Sequence, residues 1–131
     1  MKEYNVNRLK KILNLKEEIV GVKFIQYKNE YDDLDTIKEL GKKITYCNMV
    51  RRALDGALFK VNVAHFFCDY SAYALGIRIP DVSITSGKSY NASQLYETFS
   101  VARKAVESMR YLEQDIYGAI IGPLKVMEES F

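Results

Sequence analysis

Apolar positions along this chain follow two rhythms. Val6, Leu9, Ile12 and Leu13 recur at helical spacing in a charged stretch. They predict an amphipathic helix with Asn5 as its N-cap. Residues 19–25, Ile-Val-Gly-Val-Lys-Phe-Ile, form a short β-branched run bounded by charge and predict a buried strand. Lys23 interrupts that run, with its head either in water or aimed into a site. Leu34, Ile37 and Leu40 return to helical spacing, with acids ahead and Gly41 behind, and predict a helix over 32–40.

The next stretch is more regular. Tyr46, Met49, Val50, Ala53 and Leu54 predict a helix over 46–55, capped by Thr45 and stopped by Gly56. Residues 58–63 alternate and predict a strand. Residues 68–75 predict a short helix ending at Gly76. Residues 77–84 read as extended, with Pro80 favouring an edge or loop, and Ser86-Gly87 as a turn. Leu95, Phe99, Ala102, Val106 and Met109 predict the longest helix, over 92–110, with Asn91 and Gln94 as a capping box. Residues 116–121 predict a buried strand, followed by Gly122-Pro123-Leu124. Alternating strands and helices imply an α/β or α+β fold, a single domain over 1–131 with a central mixed sheet flanked by helices. The pattern leaves strand order open.

Composition narrows the function classes. The chain has 131 residues, 48% hydrophobic and 27% charged, enough for a core and unlike a disordered tail or disulfide scaffold. Nineteen basic against 17 acidic residues leave a net charge of +2, without the bulk footprint of a phosphate-binding surface. A nucleic-acid partner is therefore not expected; it would need Lys42, Lys43, Arg51, Arg52 and Lys60 on one face. The amino-terminal stretch is charged and has no apolar signal core. No apolar run reaches the ~20 residues that span a bilayer. A cytoplasmic location away from membranes is expected, where both cysteines stay reduced.

The chemistry narrows in turn. There is no phosphate loop, dinucleotide fingerprint, nucleophile elbow or Cys-x-x-Cys pair, and a single histidine. Cys47 falls at the start of the predicted 46–55 helix, where unpaired N–H groups and the helix dipole favour negative charge. Arg51, one turn on, can reach the same face and hold an anionic group. Cys68 falls where another helix begins. His65, three residues earlier, makes a His-x-x-Cys half-site to which Asp69 could add an oxygen. Cys47 and Cys68, with His65 as a weaker third, are the candidate metal ligands. Cys47, Cys68, Arg51 and Lys23 are the candidate cofactor-binding residues. Iron, an iron–sulfur centre or zinc would suit such thiols. Against this stands plain packing, because free cysteine is often simply buried. The competing function is a non-catalytic small-molecule or protein-interaction module. An exposed apolar patch near Val126, Met127 and Phe131 would then serve a homodimer or a missing-domain interface.

The order of segments also resembles a known family. Leu13-x-Leu15 leads to Val20-Gly21-Val22-Lys23-Phe24. Tyr46-Cys47 leads a helix to Ala53-x-x-Gly56. Cys68 precedes Ala74-Leu75-Gly76-Ile77, and Ser86-Gly87 and Gly122-Pro123-Leu124 close the series. Together, over about residues 13–124, they resemble the domain of unknown function 169 family of archaea and anaerobic bacteria. The resemblance implies that Cys47 and Cys68 are site residues, and supplies no reaction. It also implies a short member or a fragment, because the family continues past the Gly-Pro-Leu segment. The chain has Glu18 and Ile19 where the family usually has proline before its valine strand, and His65 matches no family position.

Overall fold

The computed structural model describes residues 3–78, 86–88, 92, 96–108 and 115–130, with all of their side chains except those of 3–5 and 130. The chain divides into two compact units: Met1–Phe67 with Ile116–Phe131, and the intervening Cys68–Asp115.

The first unit opens with α1, Glu3–Ile12. Asn5 lies inside this helix and does not cap it. Val6 is buried, but Ile12 and Leu13 are 68% and 56% exposed. The carboxyl end explains this. Asn14 takes a left-handed φ of 52°. The Asn14 N–H donates to Lys11 O at 3.2 Å and the Leu15 N–H to Lys10 O at 2.9 Å. This paired closure turns the chain away just after Ile12, so the apolar stripe outruns the face that packs.

Strand β1, Val20–Ile25, follows. The helix predicted over 32–40 is absent. A short helix α2, Lys28–Asp32, ends where that prediction begins; residues 33–37 form turns and a bend, and residues 38–40 run extended beside β2. Ile37 and Leu40 are nonetheless buried. Spacing by threes therefore marked what faces the core, and turns leading into an extended stretch met it as well as a helix would. The strand ladder holds the segment. The Lys60 N–H donates to Lys38 O at 3.0 Å, and the Leu40 N–H to Lys60 O at 3.1 Å.

Helix α3 spans Tyr46–Leu54, with Thr45 at its N-cap. Gly56, at φ +103°, turns the chain into β2, Phe59–Asn62. A 3-10 turn, Val63–His65, replaces the end of the predicted strand. After the second unit the chain returns as β3, Gly118–Pro123, buried throughout. A final helix, Leu124–Ser130 (α6 here), completes the unit. Its seven residues were too short to announce themselves by periodicity.

The sheet order is β1-β3-β2, with every pairing antiparallel. Among the described residues parallel partners occur only as isolated bridges, Glu39 with Lys60 and Ile44 with Phe66, so the sheet is antiparallel and not the mixed one expected. The fold is α+β around a central sheet. Ile25, Tyr31, Ile37, Ile120 and Met127 form one buried cluster on it. Met127 thus belongs to the core rather than to an exposed carboxyl-terminal patch. Gly21 lets α6 approach, since a Cβ there would stand 2.7 Å from Met127 Sδ.

In the second unit α4, Asp69–Ala74, begins after Cys68 and ends toward Gly76 at φ +75°, much as its sequence pattern requires. The long helix predicted over 92–110 is not continuous: Ala92 is helical, but the helix is interrupted before Phe99. Residues 96–98 are bends, and α5 runs Phe99–Glu107. The Thr98 hydroxyl accepts the Val101 N–H at 3.2 Å, so a local cap restarts the helix inside the apolar stripe. The proposed Asn91/Gln94 capping box, Leu95, Met109 and most of 77–84 lie outside the described residues. Gly87, in the predicted turn, has φ +81°. Its position for a Cβ lies 2.5 Å from Arg103 Cα. No helix among the described residues is long and apolar enough to cross a membrane.

Candidate functional site

The amino end of α3 is built by two segments of the first unit. The Ile44 N–H donates to His65 O at 3.0 Å, and the Phe67 N–H to Ile44 O at 2.9 Å. This bridge lays Tyr46 against Phe66, with centroids 6.4 Å apart and planes inclined by 11°. Phe66 is fully buried and Tyr46 half-buried. Burial raises the Tyr46 phenol pKa, and the adjacent Cys47 adds to the effect. Thr45 Oγ1 accepts the Asn48 N–H at 3.3 Å.

Cys47 follows Tyr46 in the first turn of α3, and its thiol is free and exposed. It fills no core space, which separates it from the common fate of cysteine. Arg51 shares the helix, but its ion pair runs the other way, to Asp55 at 3.9 Å. Both partners are highly exposed, so that contact is worth little. Lys23 is exposed on β1. It shares a cross-strand row with Ile120 and Lys60.

His65 has a local duty. The Asn62 N–H donates to its Nδ1 at 2.9 Å, while the Ala64 N–H donates to Asn62 Oδ1 at 3.0 Å. Asn62 and His65 thus form a capping box around the 3-10 turn. Nδ1 is engaged as an acceptor, so in the neutral ring Nε2 carries the proton.

Cys68 opens the second unit as the half-buried N-cap of α4, with no side-chain cap bond. Asp69 is ion-paired with Arg78. Among the described residues no group of three or more His, Cys, Asp or Glu side chains is arranged to hold a metal. The elements therefore present Cys47 and Cys68 at helix starts, as their sequence positions predict. They commit His65, Asp69 and Arg51 to other partners.

Lys60, expected from sequence only as part of a basic surface face, is just 8% exposed. Its Nζ donates to Tyr31 O at 2.8 Å and to Leu34 O at 3.2 Å. The signal was present: a lysine between Phe59 and Val61 in an apolar run, the same signal that singled out Lys23. Burial also removes Lys60 from any basic nucleic-acid face.

An α+β chain with a free thiol at a capped helix start is the class that these features define. The domain of unknown function 169 family, described as an uncharacterised ArCR family, matches residues 8–130. The chain belongs to that family. It is also similar to an uncharacterized protein of Methanocaldococcus jannaschii, MJ0308, at 28% identity over 126 residues. That match covers 92% of this chain and 52% of the archaeal protein, so the chain spans about half of that relative's length. No solved structure matches the chain.

Proposed function

We propose that this chain is a thiol-based binding protein whose functional group is the Cys47 sulfur, with Cys68 as a second thiol. One observation carries the reading: Cys47 is free and exposed in the first turn of a capped helix, where packing offers no reason for a cysteine. A metal or redox cofactor remains the occupant to test. A closed zinc or iron site takes about four donors. The described residues offer no group of three, so any further donors would come from elsewhere. The chemistry thus favours a thiol that binds or exchanges with a small ligand over a preformed metal cage. Lys23 and Arg51 are the cationic candidates for an anionic ligand.

The test is strictly anaerobic purification, followed at once by elemental analysis, an optical spectrum and mass spectrometry of the intact chain. Iron, zinc, a chromophore or a thiol adduct present in the wild type and lost in Cys47→Ser supports the reading. A well-folded wild type indistinguishable from Cys47→Ser in all three measurements overturns it. The second reading, an interaction module, is favoured by the exposed apolar side chains of Val63 and Phe67. It gains if ligand or partner binding survives loss of both thiols.

A further inference from the structure

The two edges of the sheet are treated differently. The outer side of β2 is occupied, because the Lys60 N–H and C=O bond to Lys38 and Leu40. β1 is the other edge strand. No backbone hydrogen bond is made on its outer side among the described residues.

Hydrogen-bond alternation identifies the residues that face outward. The Leu124 N–H donates to Ile19 O at 2.8 Å. Pro123, which has no N–H, stands opposite Val20. Ile19 and Leu124 are therefore a hydrogen-bonded pair, and Val20 with Pro123 is not. Continuing along the register, Gly21, Lys23 and Ile25 direct their backbone groups to β3. Val20, Val22 and Phe24 direct theirs outward. Lys60 tests the same parity across β3. It stands in the row of Lys23, and its backbone groups do face away from β3.

We propose that this open edge pairs with β1 of a second copy of the chain, antiparallel about a two-fold axis through Val22. Three strands from each copy would make one continuous six-stranded sheet. The inference is independent of the thiol reading. The register follows from the side chains. A Val22-centred pairing matches Val20–Phe24 with the same five residues of the partner and sets Phe24 opposite the partner's Val20, an aromatic–β-branched pair. Phe24, 41% exposed in the single chain, gains a neighbour. Lys23 then stands opposite the partner's Gly21, with the partner's Lys23 on the diagonal and not directly across. A Lys23-centred pairing would set Lys23 against the partner's Lys23 and is disfavoured. A Gly21-centred pairing would leave Phe24 against the partner's Glu18, beyond the strand. A lysine on an edge strand commonly blocks indiscriminate pairing. Here it rejects one register and permits another.

The test is sedimentation equilibrium on the full chain up to about 0.5 mM, because a single strand pairing buries little surface. A reversible monomer–dimer equilibrium is expected. Val22→Pro should abolish it while leaving the far-UV circular dichroism unchanged, since the Val22 N–H bonds nothing inside the monomer's sheet. Amide exchange on the wild type supplies a second readout, one that does not depend on any variant folding. The Val22 and Phe24 amides should gain about tenfold protection between about 10 µM and 0.5 mM, while those of Gly21, Lys23 and Ile25 are protected throughout. A monomer at the highest concentration overturns the proposal. So does a dimer whose Val22 and Phe24 amides still exchange fast. Protection independent of concentration also overturns it, and points to a strand supplied within one polypeptide.

Discussion

The Lys60 ammonium donates to the Tyr31 carbonyl oxygen at 2.8 Å and lies 4.6 Å from the centre of the same residue's ring. One side chain thus grips both the backbone and the aromatic face of Tyr31. A second bond to Leu34 O fastens the turns that follow. The Tyr31 ring meets Tyr117 edge-on at 5.2 Å. Cation–π attraction and two carbonyl acceptors replace part of the hydration that the buried ammonium gives up. The clamp ties the end of α2 and the first turn after it to β2, beside the bridge between Glu39 and Lys60.

Lys60→Met removes the donor and leaves the Tyr31 and Leu34 carbonyls with only their backbone partners, the Leu34 and Ile37 N–H groups. Methionine restores much of the volume but none of the hydrogen bonding. A loss of about 2–4 kcal/mol is expected for two carbonyl partners. Urea denaturation followed by circular dichroism measures it. A change within 0.5 kcal/mol, roughly the level of a neutral surface substitution, would mean that the clamp contributes no net stability.

Tyr31 makes stability depend on alkaline pH. Burial, aided by the nearby Glu39 carboxylate, raises the phenol's pKa far above its ordinary value. Below pH about 10 the folded and unfolded states both hold the proton, so the contribution is complete. Above it the unfolded chain releases the proton while the folded chain keeps it. Stability then falls, by at most about 1.4 kcal/mol per pH unit from this group. Tyr31→Phe should flatten that decline. It should not abolish it, because the half-buried Tyr46 phenol acts with the same sign. At neutral pH the same variant should stay within about 1 kcal/mol of the wild type, because the buried Tyr31 hydroxyl has no hydrogen-bond partner. Denaturation series at pH 7 and from pH 9 to 11 check both parts.

Cys47 should react first with a thiol reagent. Its side chain is exposed, whereas Cys68 is half-buried. Iodoacetamide labelling with peptide mapping should modify Cys47 several-fold faster, as access dictates. Cys47→Ser should remove the fast phase and leave the melting temperature within about 1 °C, as expected for a surface substitution. Equal labelling rates would remove the distinction between the two thiols.

Gly118→Ala should destabilise the first unit. A Cβ there would lie 2.4 Å from Val61 O and 3.0 Å from the Tyr31 ring. The obstacle is backbone on one side and a clamped ring on the other, so neither yields easily. The expected cost is about 1–3 kcal/mol. Thermal denaturation of the purified variant measures it, and an unchanged midpoint would show that β3 can shift there.

Much of the fold was legible in order along the chain. Thr45 and Gly56 bracket α3 as their cap chemistry requires, and Met49 and Ala53 are fully buried on its stripe. The run before Pro123 reads as a buried strand and proves to be the central one. The start of α3 marked Cys47 as a candidate, and exposure of its thiol keeps it one. These features depend on neighbours within a turn or two, where caps, glycine and periodicity act directly.

Partnership was decided by tertiary structure. Lys23 and Lys60 interrupt similar runs and lie in one row of the sheet, yet only Lys60 is buried. β2 is covered by residues 38–40, whereas no backbone hydrogen bond is made on the outer side of β1 among the described residues. Likewise His65 reads as half of a metal motif until Asn62 takes its Nδ1. Sequence by itself determined which residues could form helices, strands and thiol sites, because local backbone chemistry is written in adjacent residues. Only the tertiary structure decided which lysine is buried, which sheet edge is covered and which donors are already engaged. Those outcomes depend on what segments distant in the chain bring to the same place.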